Sequence, residues 1–183
     1  MAERLAERIN EIASENSTSP VTPDFFSRVK EGQLTRDENP FTHFCVYFAG
    51  FDPEAKKVFI GHHKKSSLWL FNGGHIDKGE TPEESLEREM GEEWGCKIDL
   101  KSIGKSKLLT ITPINHPTIK CNRHFDIWYF VPLLEADFSP DQALLDTEFY
   151  TTGWKNIEEA KRIITDTNTL QAISEFETLF NKK

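Results

Sequence analysis

Apolar residues recur at helical spacing near the start of the chain. Leu5, Ile9 and Ile12 share one side of an amphipathic helix over residues 3–15. Ser14–Pro23 is polar and rich in breakers, which predicts a loop, and Thr22–Phe26 opens a second short helix. The pattern then changes period. Phe41–Ala49 and Lys57–His62 read as strands joined by a turn through Phe51, Asp52 and Pro53. Leu68–Phe71 is a continuous apolar run, as in a buried strand, and ends in the pair Gly73 and Gly74. After one helix-like segment, strands are predicted at Lys107–Thr112 and Phe125–Val131. Glu135–Asp146 reads as an acidic loop and Glu148–Trp154 as a strand. Helices follow over about 157–164 and 170–180. Strands and helices mixed in this order fit an α/β protein with a sheet between helices.

The helix-like segment carries the strongest local signals. Thr81 serves as N-cap, Pro82 as the first helical residue and Glu84 as the partner three residues on, which is a capping box. Gly95 supplies a left-handed stop. The spacing predicts a helix over Pro82–Trp94. At about 100° per residue, Leu86, Met90 and Trp94 fall within an arc of about 80°, the buried face. Glu93 projects about 20° from Leu86, with Glu89 and Glu92 further round the same edge.

Three carboxylates at i, i+3 and i+4 beside a buried stripe repel one another unless something compensates. Arg88 is the sole base between Glu83 and Cys96. Hard divalent cations are the natural compensation, because Mg2+ and Mn2+ take clustered carboxylate oxygens and bridge them to phosphates. For three glutamates alone, a solvated acidic face is the ordinary reading. The residues around them change that balance. Paired glycines at a strand end let the backbone approach a ligand closely.

Read as G-x5-E-x7-R-E-U-x-E-E-x-G-U, with U apolar, the segment fixes Gly74, Glu80, Arg88, Glu89, Met90, Glu92, Glu93, Gly95 and Cys96. At about 7% usage per fixed residue, a chance match is on the order of 10⁻⁶ or less. The segment resembles a complete Nudix box, the signature of enzymes that hydrolyse nucleoside diphosphates linked to another moiety. The tail is similar too: Trp154 followed by Ile157, Glu158, Glu159 and Ala160 matches the segment before the closing helices of many members. Asn72 departs from the proline that many members carry there.

The resemblance implies an α/β/α sandwich with a mixed β-sheet. The length of 183 residues favours one domain of this kind over 1–183, with an N-terminal helical extension at about 1–35. The resemblance implies metal binding by Glu89, Glu92 and Glu93 with the carbonyl of Gly73, and Mg2+ or Mn2+ as cofactor. In this reading the catalytic set is Glu89, Arg88, Glu92 and a carboxylate from outside the box. Glu89 or that outside carboxylate acts on the attacking water. Arg88 orients Glu89, and Glu80 closes a salt bridge to the helix or reaches the metal through water. The acidic stretch offers Glu135, Asp137, Asp141, Asp146 and Glu148. Glu148 is chosen because it borders a strand that would hold it firmly.

Composition narrows the class. A net charge of −8 argues against general nucleic-acid binding but not against a phosphorylated small molecule, since bound cations invert the local field. There is no run of 18 apolar residues and no charged-then-apolar leader, so neither a membrane partner nor a signal peptide is expected. Cys45, Cys96 and Cys121 form no CxxC pair, which predicts free thiols and a cytoplasmic setting. A homodimer is compatible with these features.

Substrate contacts are expected from Lys64 and Lys65 in the dense basic patch, from His75 after the glycines, and from His124. His124, Asp126 and Trp128 share one strand face. A charged hairpin tip is the ordinary reading of the lysines, and a sheet edge that of His124. His43 and His116 show no partner at metal-ligand spacing. The substrate expected is a nucleotide sugar, a dinucleotide or a nucleoside triphosphate. The NADH pyrophosphatase and coenzyme A patterns are absent, and Pro113 stands near the place of a proline in ADP-ribose hydrolases. A catalytically silent nucleotide-binding or sensor module is the second reading, disfavoured by the intact carboxylate set. An isoprenoid diphosphate isomerase is the third, disfavoured by the unaltered box.

Overall fold

The computed structural model describes residues 2–114 and 120–181. His116 lies outside the described residues. Helix α1 spans Ala2–Glu15, and Leu5, Ile9 and Ile12 are all buried, as their spacing requires. Helix α2 spans Thr22–Glu31 with Pro23 in its first turn and stops at Gly32, whose φ is +71°. Strand β1 covers Thr42–Asp52 and β2 covers Lys57–His63, antiparallel with Phe51 opposite Val58. Their turn is held by Asp52, whose Oδ1 accepts from the backbone N–H of Glu54 and of Ala55, both at 2.8 Å.

The next segment departs from expectation. The apolar run yields only the short strand β3, Trp69–Leu70, and the glycine pair lies inside a separate strand β4, Asn72–His75. A Cβ on Gly73 would stand 2.5 Å from the Val46 carbonyl oxygen and 2.9 Å from Tyr47 Cδ1. The glycine therefore lets β4 lie close against β1. Helix α3 then runs Pro82–Trp94, followed by a single turn α4 at Leu100–Ile103. Strands β5, Leu108–Pro113, and β6, Arg123–Pro132, pair antiparallel with Thr110 opposite Asp126.

The acidic stretch is not all loop. Helix α5 spans Gln142–Glu148, started by Asp141, whose carboxylate accepts from the N–H groups of Ala143 and Leu144. Strand β7 runs Phe149–Asn156, helix α6 Ile157–Ile163 and helix α7 Thr167–Asn181. Asn156 and Glu159 form a reciprocal capping box on α6. Among the described residues the sheet has seven strands in the order β3-β2-β1-β6-β5, with β4 on β1 and β7 on β2. The class is mixed α/β, as expected. No helix among the described residues is long and apolar enough to cross a membrane.

Contacts group into two compact units. One comprises Met1–Tyr47, Gly73–Arg88 and Gly104–Tyr129. Its core holds Phe25, Phe44 and Phe125 with ring centroids 5.3–5.5 Å apart. Buried Arg28 ties the end of α2 to β1 by donating to the carbonyls of Gly32, Gln33 and Thr42. The other comprises Phe48–Asn72, Glu89–Ile103 and Phe130–Lys183. There Trp94 is met edge-on by Phe48, Phe59 and Phe138, and Phe176 of α7 lies against Phe51, Phe71 and Phe130.

Candidate active site

Helix α3 begins and ends where its sequence dictates. The Thr81 N–H donates to Glu84 Oε2 at 2.8 Å, and the Glu84 N–H donates to Thr81 Oγ1 at 3.3 Å. Arg4 also binds the Glu84 carboxylate. Gly95 takes φ +67°, and a Cβ there would lie 2.8 Å from Asp141 Cβ, so two constraints demand glycine. Leu86, Met90 and Trp94 are buried to within 1%. With that stripe fixed, Glu89 and Glu93 are half-buried at its margin and Glu92 is exposed.

Arg88 braces the approach to the helix. Its Nε donates to Glu80 Oε1 at 2.8 Å, and its Nη2 to Glu80 Oε2 and to the His75 carbonyl, both at 2.9 Å. This is a two-pronged carboxylate clamp. It draws the Glu80 carboxyl down to about 2, against partial burial, with further help from the Ser85 hydroxyl and the Asp77 N–H.

Asn72 is fully buried, and its Nδ2 donates to Glu93 Oε2. Among the described residues its Oδ1 has no hydrogen-bond partner. A buried carbonyl oxygen left open costs about 1–3 kcal/mol. One filled by water or by a hard cation does not, and an amide oxygen beside a carboxylate is a donor set that Mg2+ and Mn2+ accept. The residues present therefore fit such an ion. The sequence marks Asn72 only as a departure from the family's proline, because its partner is 21 positions away. The available signal was a polar residue straight after a four-residue apolar run.

Other expected residues fall into two groups. Lys64, Lys65 and Glu148 come together. Lys65 Nζ binds Glu148 Oε2 at 2.9 Å, His63 Nε2 stands 3.4 Å from the same oxygen, and the Lys64 N–H donates to the Glu148 carbonyl at 2.8 Å. Burial works to raise the Glu148 carboxyl, yet Lys65 and His63 hold it below the usual range. Of the other acids in that stretch, Asp141 caps α5, Asp146 accepts from Gln142, and Glu135 pairs with Lys57. His75 and His124 form the second group, with ring centroids 5.3 Å apart. His43 lies with them, 4.9 and 4.8 Å from the two rings. Burial, and then the neighbouring His43, push His124 down to about 4.

A family model described as the NUDIX domain matches residues 26–175. The chain belongs to the Nudix family. Helix α1 precedes the matched region. A hydrolase of the NUDIX family from Clostridium perfringens is 26% identical, with a TM-score of 0.55, over 76% of this chain and 98% of that one. The dihydroneopterin triphosphate pyrophosphohydrolase of E. coli shares the fold with a TM-score of 0.59 at 17% identity, over 73% of this chain and 93% of that one. An RNA pyrophosphohydrolase of Sulfurovum sp. (strain NBC37-1) is 47% identical over 45 residues, which span 24% of this Nudix chain and 29% of the relative's length.

Proposed function

We propose that this Nudix protein is a pyrophosphohydrolase that uses Mg2+ or Mn2+. Its substrate is a small nucleotide: a nucleoside diphosphate linked to another moiety, as in a nucleotide sugar, a dinucleotide or a nucleoside triphosphate. The observation that carries this reading is the Glu93–Asn72 contact on a helix whose two ends are both fixed. It holds one box glutamate beside an open amide oxygen, as a cation site would need. The relatives named as pyrophosphohydrolases support anhydride cleavage and leave the substrate open.

A divalent cation on Glu89, Glu92 and Glu93 would neutralise phosphate charge and lower the pKa of a bound water. Glu89, half-buried, would orient the attacking water or take its proton. Arg88 and Glu80 hold the start of the helix in place through their clamp, and Asn72 fixes the rotamer of Glu93. Lys64, Lys65, His75 and His124 are the proposed contacts to substrate, and Glu148 the proposed outside carboxylate. A cytoplasmic setting and a single working domain complete the reading.

The test is a panel of nucleotide sugars, dinucleotides and nucleoside triphosphates, assayed with Mg2+ or Mn2+ and a coupled phosphatase. Turnover of at least one class is expected, abolished by chelator and restored by either metal. Background rates across the panel would favour the binding-module reading. Hydrolysis that persists in excess chelator would exclude the metal mechanism.

A further inference from the structure

Four side chains, of which His75 and His124 are also proposed above as substrate contacts, converge on one face of the sheet. His43 and Cys45 are two apart on β1 and so point the same way. His75 stands on β4, which pairs with β1, and His124 stands on β6, the neighbour of β1 in the sheet. One ligand atom from each of His43, Cys45, His75 and His124 lies within 4.8 Å of all the others. His43 and Cys45 are 1% and 3% exposed, while His75 and His124 are half-buried, so the group is anchored on one side and reachable from the other.

We propose that His43, Cys45, His75 and His124 form a zinc site. Its donor set has the opposite chemical preference to the carboxylates of α3. Three imidazoles and one thiolate suit a borderline-soft ion in tetrahedral geometry, and suit Mg2+ or Mn2+ poorly. Zn–N bonds of about 2.0–2.1 Å and a Zn–S bond of about 2.3 Å set donor separations near 3.3–3.6 Å. The four donors have to close by up to about 1.2–1.5 Å from the 4.8 Å limit. Side-chain rotation of the half-buried His75 and His124 supplies that.

The outer contacts are of the kind that orient metal ligands. Nδ1 of His43 lies 3.1 Å from the Asn39 carbonyl oxygen, which places its proton on Nδ1 and leaves Nε2 as donor. Cys121 Sγ stands 4.0 Å from that Nε2 and is engaged by the carbonyls of Phe41 and Arg123, so it is the competing thiol. Arg36 Nη1 is 3.4 Å from His75 Nδ1. It keeps the proton on Nε2, so Arg36 has to withdraw when the ion enters, and the tautomer has to switch as well where Nε2 is the ligand. The thiolate offsets one of the two positive charges introduced. Four protein ligands leave no open position, which marks a structural site. It joins three strands, including the one that carries Gly73.

Cobalt(II) is the probe, added to the full chain after chelator treatment, with Mg2+ in excess to occupy carboxylates. One equivalent should give the intense visible bands of tetrahedral cobalt and a sulfur-to-cobalt charge-transfer band in the near ultraviolet. Zn2+ should bleach both and raise the melting temperature. Cys45→Ser should lose the charge-transfer band, while Cys121→Ser and Glu89→Gln keep the full spectrum. His124→Asn should weaken cobalt binding more than about 10-fold, since even outer-layer partners are worth 10–100-fold. Because Cys45 is buried, His124→Asn is the safeguard against a misfolded variant. The proposal is overturned by an octahedral spectrum in the parent, by a charge-transfer band that survives Cys45→Ser, or by folded His124→Asn that binds cobalt like the parent.

Discussion

At Asn72 one amide sets the direction of a carboxylate on another element. The alanine variant removes that anchor. It removes the orphaned Oδ1 as well, which offsets most of the lost hydrogen bond to the carboxylate, so stability should change by no more than about 1 kcal/mol. The effect on metal should be larger. Partners of this kind are worth 10–100-fold in metal affinity. The Mg2+ concentration for half-maximal activity should therefore rise at least about 10-fold in Asn72→Ala, with most of kcat recovered at saturation. An unchanged Mg2+ titration would assign Asn72 a packing role only. Glu89→Gln makes the complementary case. It keeps the shape and removes the charge, and saturating metal should not rescue it. Its kcat should fall by at least about 10²–10³-fold, the scale for losing one preorganised electrostatic group. Near-normal kcat would dismiss Glu89 from the mechanism. Glu89 was legible in the sequence because its meaning lies in local spacing. Asn72 was not, because its meaning lies in a contact made only after folding.

Element by element, legibility follows how local the forces are. Helix α3 could be placed to the residue, since Thr81, Pro82, Glu84 and Gly95 all act within one turn of its ends. Helix α5 was hidden inside acidic sequence, because a lone Asp141 cap without an apolar stripe resembles a loop. The apolar run puts the glycine pair at a strand end, yet Gly73 sits within β4, close against β1. The histidine and cysteine group is the extreme case. Its members stand on three strands, and only the sheet order makes them neighbours. Two glycines on or next to α3 give a paired test. Gly95→Ala forces a left-handed residue to carry a Cβ 2.8 Å from Asp141. The backbone term alone is about 1–2 kcal/mol, so a loss of about 2–3 kcal/mol is expected in urea unfolding. Gly91→Ala lies in the helix interior with no described residue within 4 Å of the new Cβ. It should gain about 0.5–1 kcal/mol. Similar values for the two would mean that the end of α3 is not fixed as described.

Across the whole molecule, an acidic chain stays folded by giving its key carboxylates partners. Backbone N–H groups of Glu135, Ala55 and Glu54 outweigh burial to hold Asp52 low, and the Thr81 N–H does the same for Glu84. Glu80 is the strongest instance. Arg88 draws it to about 2, whereas an unfolded glutamate titrates near ~4.3. A depressed folded value means that protons bind the unfolded chain more readily. The stabilisation is thus fully present above ~4.3 and is lost as pH falls through about 2. The shift corresponds to about 3 kcal/mol as an upper figure, from 1.36 kcal/mol per pH unit. Glu80→Gln removes this term at neutral pH and has nothing left to lose in acid. Urea unfolding of both proteins should therefore show the parent more stable near pH ~6, and a gap that shrinks by about 2–3 kcal/mol on reaching pH ~2. Residual acid sensitivity in the variant reports Asp52, Glu84 and Glu148. A gap that stays constant with pH would mean that Glu80 acts through shape rather than through its charge on Arg88.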